Sequence, residues 1–246
     1  MNFINKLLSL FGINVIRTRI KPPEEFMEKY NEYLNLSRSN KRGFKVTEAL
    51  RYGMGAHPVS YKDIECGYAS AQLYNLQPEL VLDIGSYRHF IIGLLSQYKV
   101  TTIDVRERKP ITDNETVVTC DAKNLELSDE SFDAVVSLCA VEHFGLARYG
   151  DAFDLDGDIK ALKHMSRVLK KGGSLIFSTA VTRHEPTLAF NAHRIYTVDM
   201  IRELCSGLEC VNEKFYSVNL KKYCDHDQVT KKINDWDVYF GNWRKI

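Results

Sequence analysis

From Glu79 onward the chain alternates short apolar runs with segments of helical length, and this alternation constrains the fold more than any other feature. The runs Leu80–Ile84, Val100–Asp104, Thr116–Cys120, Asp133–Leu138 and Ser174–Thr179 are largely apolar at successive positions. Strands of that kind suit burial on both faces, as in a parallel sheet covered by helices. Arg88–Gln97, Asp158–Lys170 and Val198–Ser206 are the intervening helix candidates. In the second of these, Ile159, Leu162, Met165, Val168 and Leu169 recur at helical spacing, with Gly172-Gly173 as the stop signal. Thr197 is a suitable N-cap for the third, and Gly207 follows its end. The order predicts an α/β fold with a doubly wound, mostly parallel, Rossmann-like sheet. Leu208–Val211 and Phe215–Val218 are expected to add a hairpin.

Two segments fall outside this pattern. Residues 1–20, MNFINKLLSLFGINVIRTRI, are apolar but interrupted by Lys6, Arg17 and Arg19, and Pro22-Pro23 closes them. No small-residue cleavage site follows the apolar part, so a signal peptide is not indicated. The segment reads either as a helix packed on the domain or as an amphipathic helix lying on an anionic membrane surface. Glu24–Leu36 is polar and helical, Ser37–Gly43 is a basic loop, residues 52–58 are turn-rich, and Tyr61–Leu76 is a helix ending before Pro78. The tail from Lys221 to Ile246 holds Tyr223, Trp236, Tyr239, Phe240 and Trp243, too many rings for a disordered tail. It is expected to pack over the domain. The expected division is a helical N-terminal extension (1–60), a Rossmann-like domain (61–220) and an aromatic C-terminal extension (221–246).

Composition narrows the function classes. Lys and Arg total 33 against 32 Asp and Glu, a net charge of +1, which argues against a protein that coats nucleic acid. The six cysteines form no C-x-x-C pair and read as reduced thiols of a cytoplasmic protein. Residues 1–20 are the candidate for peripheral contact with the inner face of a membrane.

In an open parallel sheet, ligands bind beyond the carboxyl ends of the strands, where strand order reverses. The first strand runs into Asp83-Ile84-Gly85-Ser86, and the second ends at Asp104, nineteen residues after Gly85. A glycine there lets a ligand approach the backbone, and the later carboxylate can accept hydrogen bonds from two hydroxyls, so the pair suggests a nucleoside pocket. The third strand ends Cys120-Asp121-Ala122, and the fourth runs into Cys139-Ala140-Val141-Glu142-His143. His143 has the intrinsic proton affinity of a general base, with a structural histidine bonded to a nearby carbonyl as the alternative, and Glu142 beside it can orient a substrate or cap the next helix. Arg148 and Tyr149 follow in the loop where an acceptor would sit, suited to a phosphate or sugar hydroxyls, with a pairing of Arg148 to an acid of the same loop as the alternative. Asp151, Asp154, Asp156 and Asp158 imitate the start of a calcium loop, but counted from Asp154 the sixth position is Ile159 and the twelfth Met165, where glycine and glutamate are required. No metal is expected. Asp156 and Asp158 suit a helix N-terminus instead.

The segment CDAKNLELSDESFDAVVSLCAVEHF, followed by LKHMSRVLKKGGSLIFST, resembles the class I S-adenosylmethionine-dependent methyltransferases over about residues 79–211. The stretches EHFGLARYGDAFDLDGD and FNAHRIYT look like a branch of that superfamily often associated with surface-polysaccharide biosynthesis. The resemblance implies S-adenosylmethionine as cofactor and O-methylation of a sugar, nucleotide-sugar or glycan intermediate. It implies that Asp104 holds the ribose hydroxyls, Asp121 and Ala122 the adenine, and Gly85 and Asp83 the methionine portion. The superfamily's G-x-G-x-G turn is here Gly85-Ser86-Tyr87-Arg88-His89-Phe90, with only the first glycine, so Ser86 is assigned to the cofactor as well. Two other readings stand beside this one: a non-catalytic relative that binds a nucleotide or a partner, and a nucleic-acid methyltransferase.

Overall fold

The computed structural model describes residues 22–39, 45–52 and 59–246. The expectations for residues 1–20, for most of the basic loop at 37–43 and for nearly all of 52–58 lie outside the described residues. The chain separates into two compact units, Met1–Pro58 and Val59–Ile246. In the first, α1 (Glu24–Ser39) buries no residue; Phe26 meets Tyr52 edge-on at 4.8 Å, and Arg38 pairs with Glu48.

The second unit opens with α2 (Tyr61–Leu76). Its start is fixed by Ser60, whose side chain accepts from the Lys62 N–H while Asp63 accepts from the Ser60 N–H, a capping box. Gln77 ends it in the left-handed region at φ 49°, just before Pro78. The core then alternates as expected: β1 (Leu80–Ile84), α3 (Arg88–Leu94), β2 (Lys99–Asp104), β3 (Glu115–Thr119), β4 (Phe132–Leu138), α4 (Gly157–Val168) and β5 (Leu169–Val181). A small hairpin follows, β6 (Thr187–Ala189) and β7 (His193–Ile195), then α5 (Val198–Leu204), β8 (Leu208–Ser217), β9 (Lys222–Cys224) and β10 (Asp237–Lys245).

The main sheet has the order β3-β2-β1-β4-β5-β10-β8-β9. Strands β3, β2, β1, β4 and β5 pair in parallel, whereas β10 runs antiparallel to both β5 and β8. This is the expected doubly wound α/β sheet, with its reversal of order between β1 and β4. Side chains alternate between two apolar layers: Leu82, Ile84, Met165, Phe177 and Tyr239 on one face, Val81, Ile91, Val136, Ile176 and Phe240 on the other.

Three expectations are corrected. Leu208–Val211 and Phe215–Ser217 are not the arms of a hairpin but parts of one strand, β8, because Asn212-Glu213-Lys214 between them pair directly with β10 instead of turning. The aromatic tail does not pack over the domain; its last nine ordered positions, β10, lie inside the sheet and send Val238 and Phe240 to one layer and Tyr239 and Trp243 to the other. The helix over 158–170 ends at Val168, and Leu169 already begins β5, so Gly172-Gly173 sit in the strand's opening stretch. Leu169 remains fully buried, but Ile159 of the predicted apolar stripe is exposed.

Candidate functional site

Two cavities open beyond the carboxyl ends of β1, β2 and β4. The first is lined by Gly85, Ile103, Asp104, Asp121, Ala122 and Phe144, among others, and encloses about 100 Å³. The second, about 420 Å³, is lined by Tyr61, Lys62, Tyr87, Glu142, Arg148, His193 and Trp236 with their neighbours. Gly85, Cys139, His143 and Tyr149 line both, so the two spaces meet at the tips of β1 and β4.

The turn after β1 is built for close approach. Gly85 sits at φ +76°, a conformation glycine adopts without strain, and a Cβ there would lie 3.0 Å from the Ala140 Cβ. Ser86 turns inward, its hydroxyl accepting the Leu138 N–H at 3.0 Å, so it braces β1 against β4. Tyr87 stands half exposed beside His89 and lines the second cavity only. The bulky residues that replace glycine in this turn therefore leave the first cavity open.

Asp104 closes the opposite wall. Its carboxylate accepts from the Arg106 N–H and Nε–H and from Nη2–H, each at 2.9 Å. Partial burial works to raise this carboxyl, but the Arg106 bonds outweigh it and hold it below the usual carboxylate range. Asp121 caps a short 3-10 turn, Ala122–Asn124, by accepting from the Lys123 N–H at 2.9 Å; the Lys123 ammonium adds a second bond at 2.6 Å. Asp83 is different. It is fully buried on the α2/α3 side of β1, lines neither cavity, and neither oxygen has a hydrogen-bond partner of normal geometry. Burial pushes its carboxyl up to about 7.

On the β4 side, Val141–His143 form a 3-10 turn. The His143 Nδ1 lies 2.6 Å from the Ala192 carbonyl, which only an N–H can approach so closely, so Nδ1 carries the proton and Nε2 is the ring's acceptor. Burial pushes the imidazole down to about 4, leaving it neutral at pH 7. Glu142 is buried, accepts from the Thr179 hydroxyl at 3.2 Å, and has its carboxyl pushed up to about 7, mainly by burial. Beneath it Glu65 of α2, fully buried, accepts from Ser178 Oγ at 2.8 Å and from the Lys62 ammonium at 2.7 Å. Ser178 in turn accepts the Cys139 N–H, which holds Cys139 at φ +45°.

Arg148 pairs with no acid of its loop; it donates to the Ala192 carbonyl at 2.8 Å and lies over the Tyr149 ring. Arg106 lies over the same ring, 5.0 Å from its centre. The acidic run that follows is engaged locally. Asp151 accepts from the Gly145 N–H at 2.8 Å, Asp154 binds Lys160 at 2.6 Å, and buried Asp158 accepts from the Tyr196 hydroxyl at 2.7 Å. Asp156 stands at the N-cap of α4 and Asp158 in its first turn, as expected, and Asp158 serves in addition as a core hydrogen-bond acceptor.

Three lining residues lacked a local sequence signal: Tyr61 and Lys62 at the start of α2, and Trp236 just before β10. His193, whose place after β5 in the sequence is open both to facing the pocket and to fixing the loop before Thr197, faces the cavity, edge-on to His143 at 6.3 Å and to Trp236 at 6.1 Å. The FNAHRIYT stretch was the one cue to that wall.

A family profile described as "Caenorhabditis protein of unknown function, DUF268" matches residues 95–236. No curated protein matches the chain. Among solved structures the chain is similar to the Burkholderia thailandensis 1,6-didemethyltoxoflavin-N1-methyltransferase, crystallised with 1,6-didemethyltoxoflavin and S-adenosylhomocysteine, at 17% identity and TM-score 0.56, covering 94% of this chain and 93% of that one. It is similar to the [4+2]-cyclase SpnF at 14% identity and TM-score 0.56, covering 92% and 97%. It also resembles the N-methyltransferase NodS from Bradyrhizobium japonicum WM9, at 18% identity and TM-score 0.51, covering 74% and 97%. At such identities these likenesses establish a shared fold.

Proposed function

We propose that this chain, which belongs to the DUF268 family, is an S-adenosylmethionine-dependent methyltransferase acting on a hydroxyl of a sugar, nucleotide-sugar or glycan intermediate. One observation carries the reading: a nucleoside-type cleft and a larger polar cavity share Gly85, Cys139, His143 and Tyr149 at the strand tips where the sheet reverses. Two of the similar structures are named as methyltransferases, and one was crystallised with S-adenosylhomocysteine.

The residues present fit such a cofactor. Asp104 offers a charged acceptor to two ribose hydroxyls, Asp121 and Ala122 line the wall for the adenine, and Gly85 leaves room where a side chain would strike Ala140. Ser86 and Asp83 act from behind the turn, Ser86 by bracing it and Asp83 as a buried carboxyl beneath it. The cofactor supplies a methyl group already activated on a sulfonium, so the protein has to align the acceptor and take its proton. His143, at the junction, offers Nε2 as the base, its tautomer held by Ala192. Glu142 orients the acceptor hydroxyl from the cavity floor, and Arg148 and Tyr149 flank the entrance.

Transfer of a labelled methyl group from S-adenosylmethionine to a panel of sugars and nucleotide-sugars tests this reading. Label should appear in product with the wild type and fall by about 10²–10⁴-fold with His143→Ala. Label in no acceptor, from a protein that binds the cofactor, would favour the non-catalytic relative. That second reading draws on Arg106, which already occupies the carboxylate a ribose would need.

A further inference from the structure

The cleft assigned to the nucleoside encloses about 100 Å³, below the roughly 300 Å³ at which small-molecule sites begin. A chain of contacts spans its mouth. Arg106 grips Asp104 through two guanidinium bonds and lies over Tyr149 on the other side of the opening. Tyr149 is also faced by Arg148, which is tied to the carbonyl that fixes His143.

The loop carrying Tyr149 is anchored at its base and exposed at its tip. Asp151 accepts from the backbone N–H of both Gly145 and Tyr149, pinning the base of the loop. Gly145 leaves no room for a side chain there: it sits at φ +77°, and a Cβ would fall 2.0 Å from the Asp154 carbonyl oxygen. Beyond that anchor Ala147 and Gly150 take left-handed conformations at φ 57° and 91°, and residues 147–150 are exposed. The loop's hold on the far wall is the ring of Tyr149 under Arg106.

We propose that Arg106 and Tyr149 form a latch that closes the nucleoside cleft, and that a ligand carrying a ribose cis-diol opens it by taking Asp104 from Arg106. This rests on the reading of the cleft as an S-adenosylmethionine site. The Arg106 side chain is 64% exposed, so its ion pair is screened, and one ring contact adds little. Together they shift the closed-to-open balance by on the order of tenfold. That is small enough for two hydroxyls donating to a desolvated carboxylate to reverse. The diol is thereby the part of the ligand that is read first, and the acceptor-side loop responds to it through Tyr149.

The test is binding of S-adenosylhomocysteine, followed calorimetrically, together with trypsin cleavage after Arg148 in the unliganded protein. Arg106→Ala should bind about three- to tenfold more tightly than wild type, because the diol no longer displaces a competitor. It should also be cut after Arg148 several-fold faster. Arg106→Lys, which keeps the charge but not the planar fork, should fall between the two, and Tyr149→Phe should behave as wild type because the ring remains. A matched melting temperature for Arg106→Ala separates a released loop from a loosened domain. Binding that is unchanged or weaker in Arg106→Ala, with cleavage unchanged, overturns the latch while leaving the methyltransferase reading intact. Absence of binding in every variant and in the wild type removes both.

Discussion

The site contains three titratable groups whose environments push them toward neutrality or away from charge, and each has a separable consequence. His143 is neutral above about pH 4, whereas Glu142 changes charge near 7. If His143 is the base, the rate of methyl transfer at saturating cofactor should be flat from pH 6 to 8. If Glu142 is the base, the rate should climb through pH 7 and level off above it. The account predicts the flat profile, and a climb that vanishes in Glu142→Gln would reassign the base. Asp83 makes a stability prediction. Its folded carboxyl titrates at about 7, above its ordinary 3.8, so the protein gains nothing from it at high pH. Stability linked to this group is complete below about pH 4 and is lost as pH rises through 7, on the order of a few kcal/mol by pH 8. Asp83→Asn should therefore melt progressively higher relative to wild type between pH 5 and 8. A difference independent of pH would show that Asp83 is charged and paired throughout. At the turn, Gly85→Ala should cost about 1–2 kcal/mol in denaturant unfolding, from its positive φ and the 3.0 Å contact with Ala140.

Among the elements, the last strand has the largest structural role. β10 pairs with β5 from Asp237↔Val181 to Arg244↔Ser174 and with β8 along nearly its whole length, so it joins the parallel sheet to its antiparallel edge. Its side chains also supply both layers. Truncation after Asp235 should abolish the cooperative thermal transition seen by circular dichroism, because β5 and β8 would both be left with open edges. An appendage lying on the surface would instead leave the transition in place with a lowered midpoint. The tail's rings showed that it was ordered but not where it went. Gly241, Asn242 and Arg244 break any apolar run, and the pairings that make this a strand are with β8 and the still more distant β5, where no local pattern can register them. The strands β1, β2 and β4 were legible for the opposite reason: helices cover both of their faces, so their burial is written in consecutive residues. The same contrast runs through the site. Gly85, Asp104, Asp121, Ala122 and His143 could be read as lining residues because each follows or ends a strand that is itself legible. Tyr61, Lys62 and Trp236 arrive from opposite ends of the domain, and only the folded sheet brings them to one wall.

At the scale of the whole molecule, a methyltransferase activity requires the cleft beside Gly85 to accept a nucleoside. The same sheet is found in the similar [4+2]-cyclase as well as in methyltransferases, so architecture alone does not select a reaction. Among the described residues no helix is long and apolar enough to cross a membrane, and no group of three metal-ligating side chains is assembled. The most direct measurement is a calorimetric titration of the intact chain with S-adenosylmethionine and with S-adenosylhomocysteine, repeated on Asp104→Ala. The account predicts one saturable site per chain in the wild type and at least a tenfold loss of affinity in the variant. Heat changes no larger than dilution for both ligands, in a protein that melts cooperatively, would contradict it.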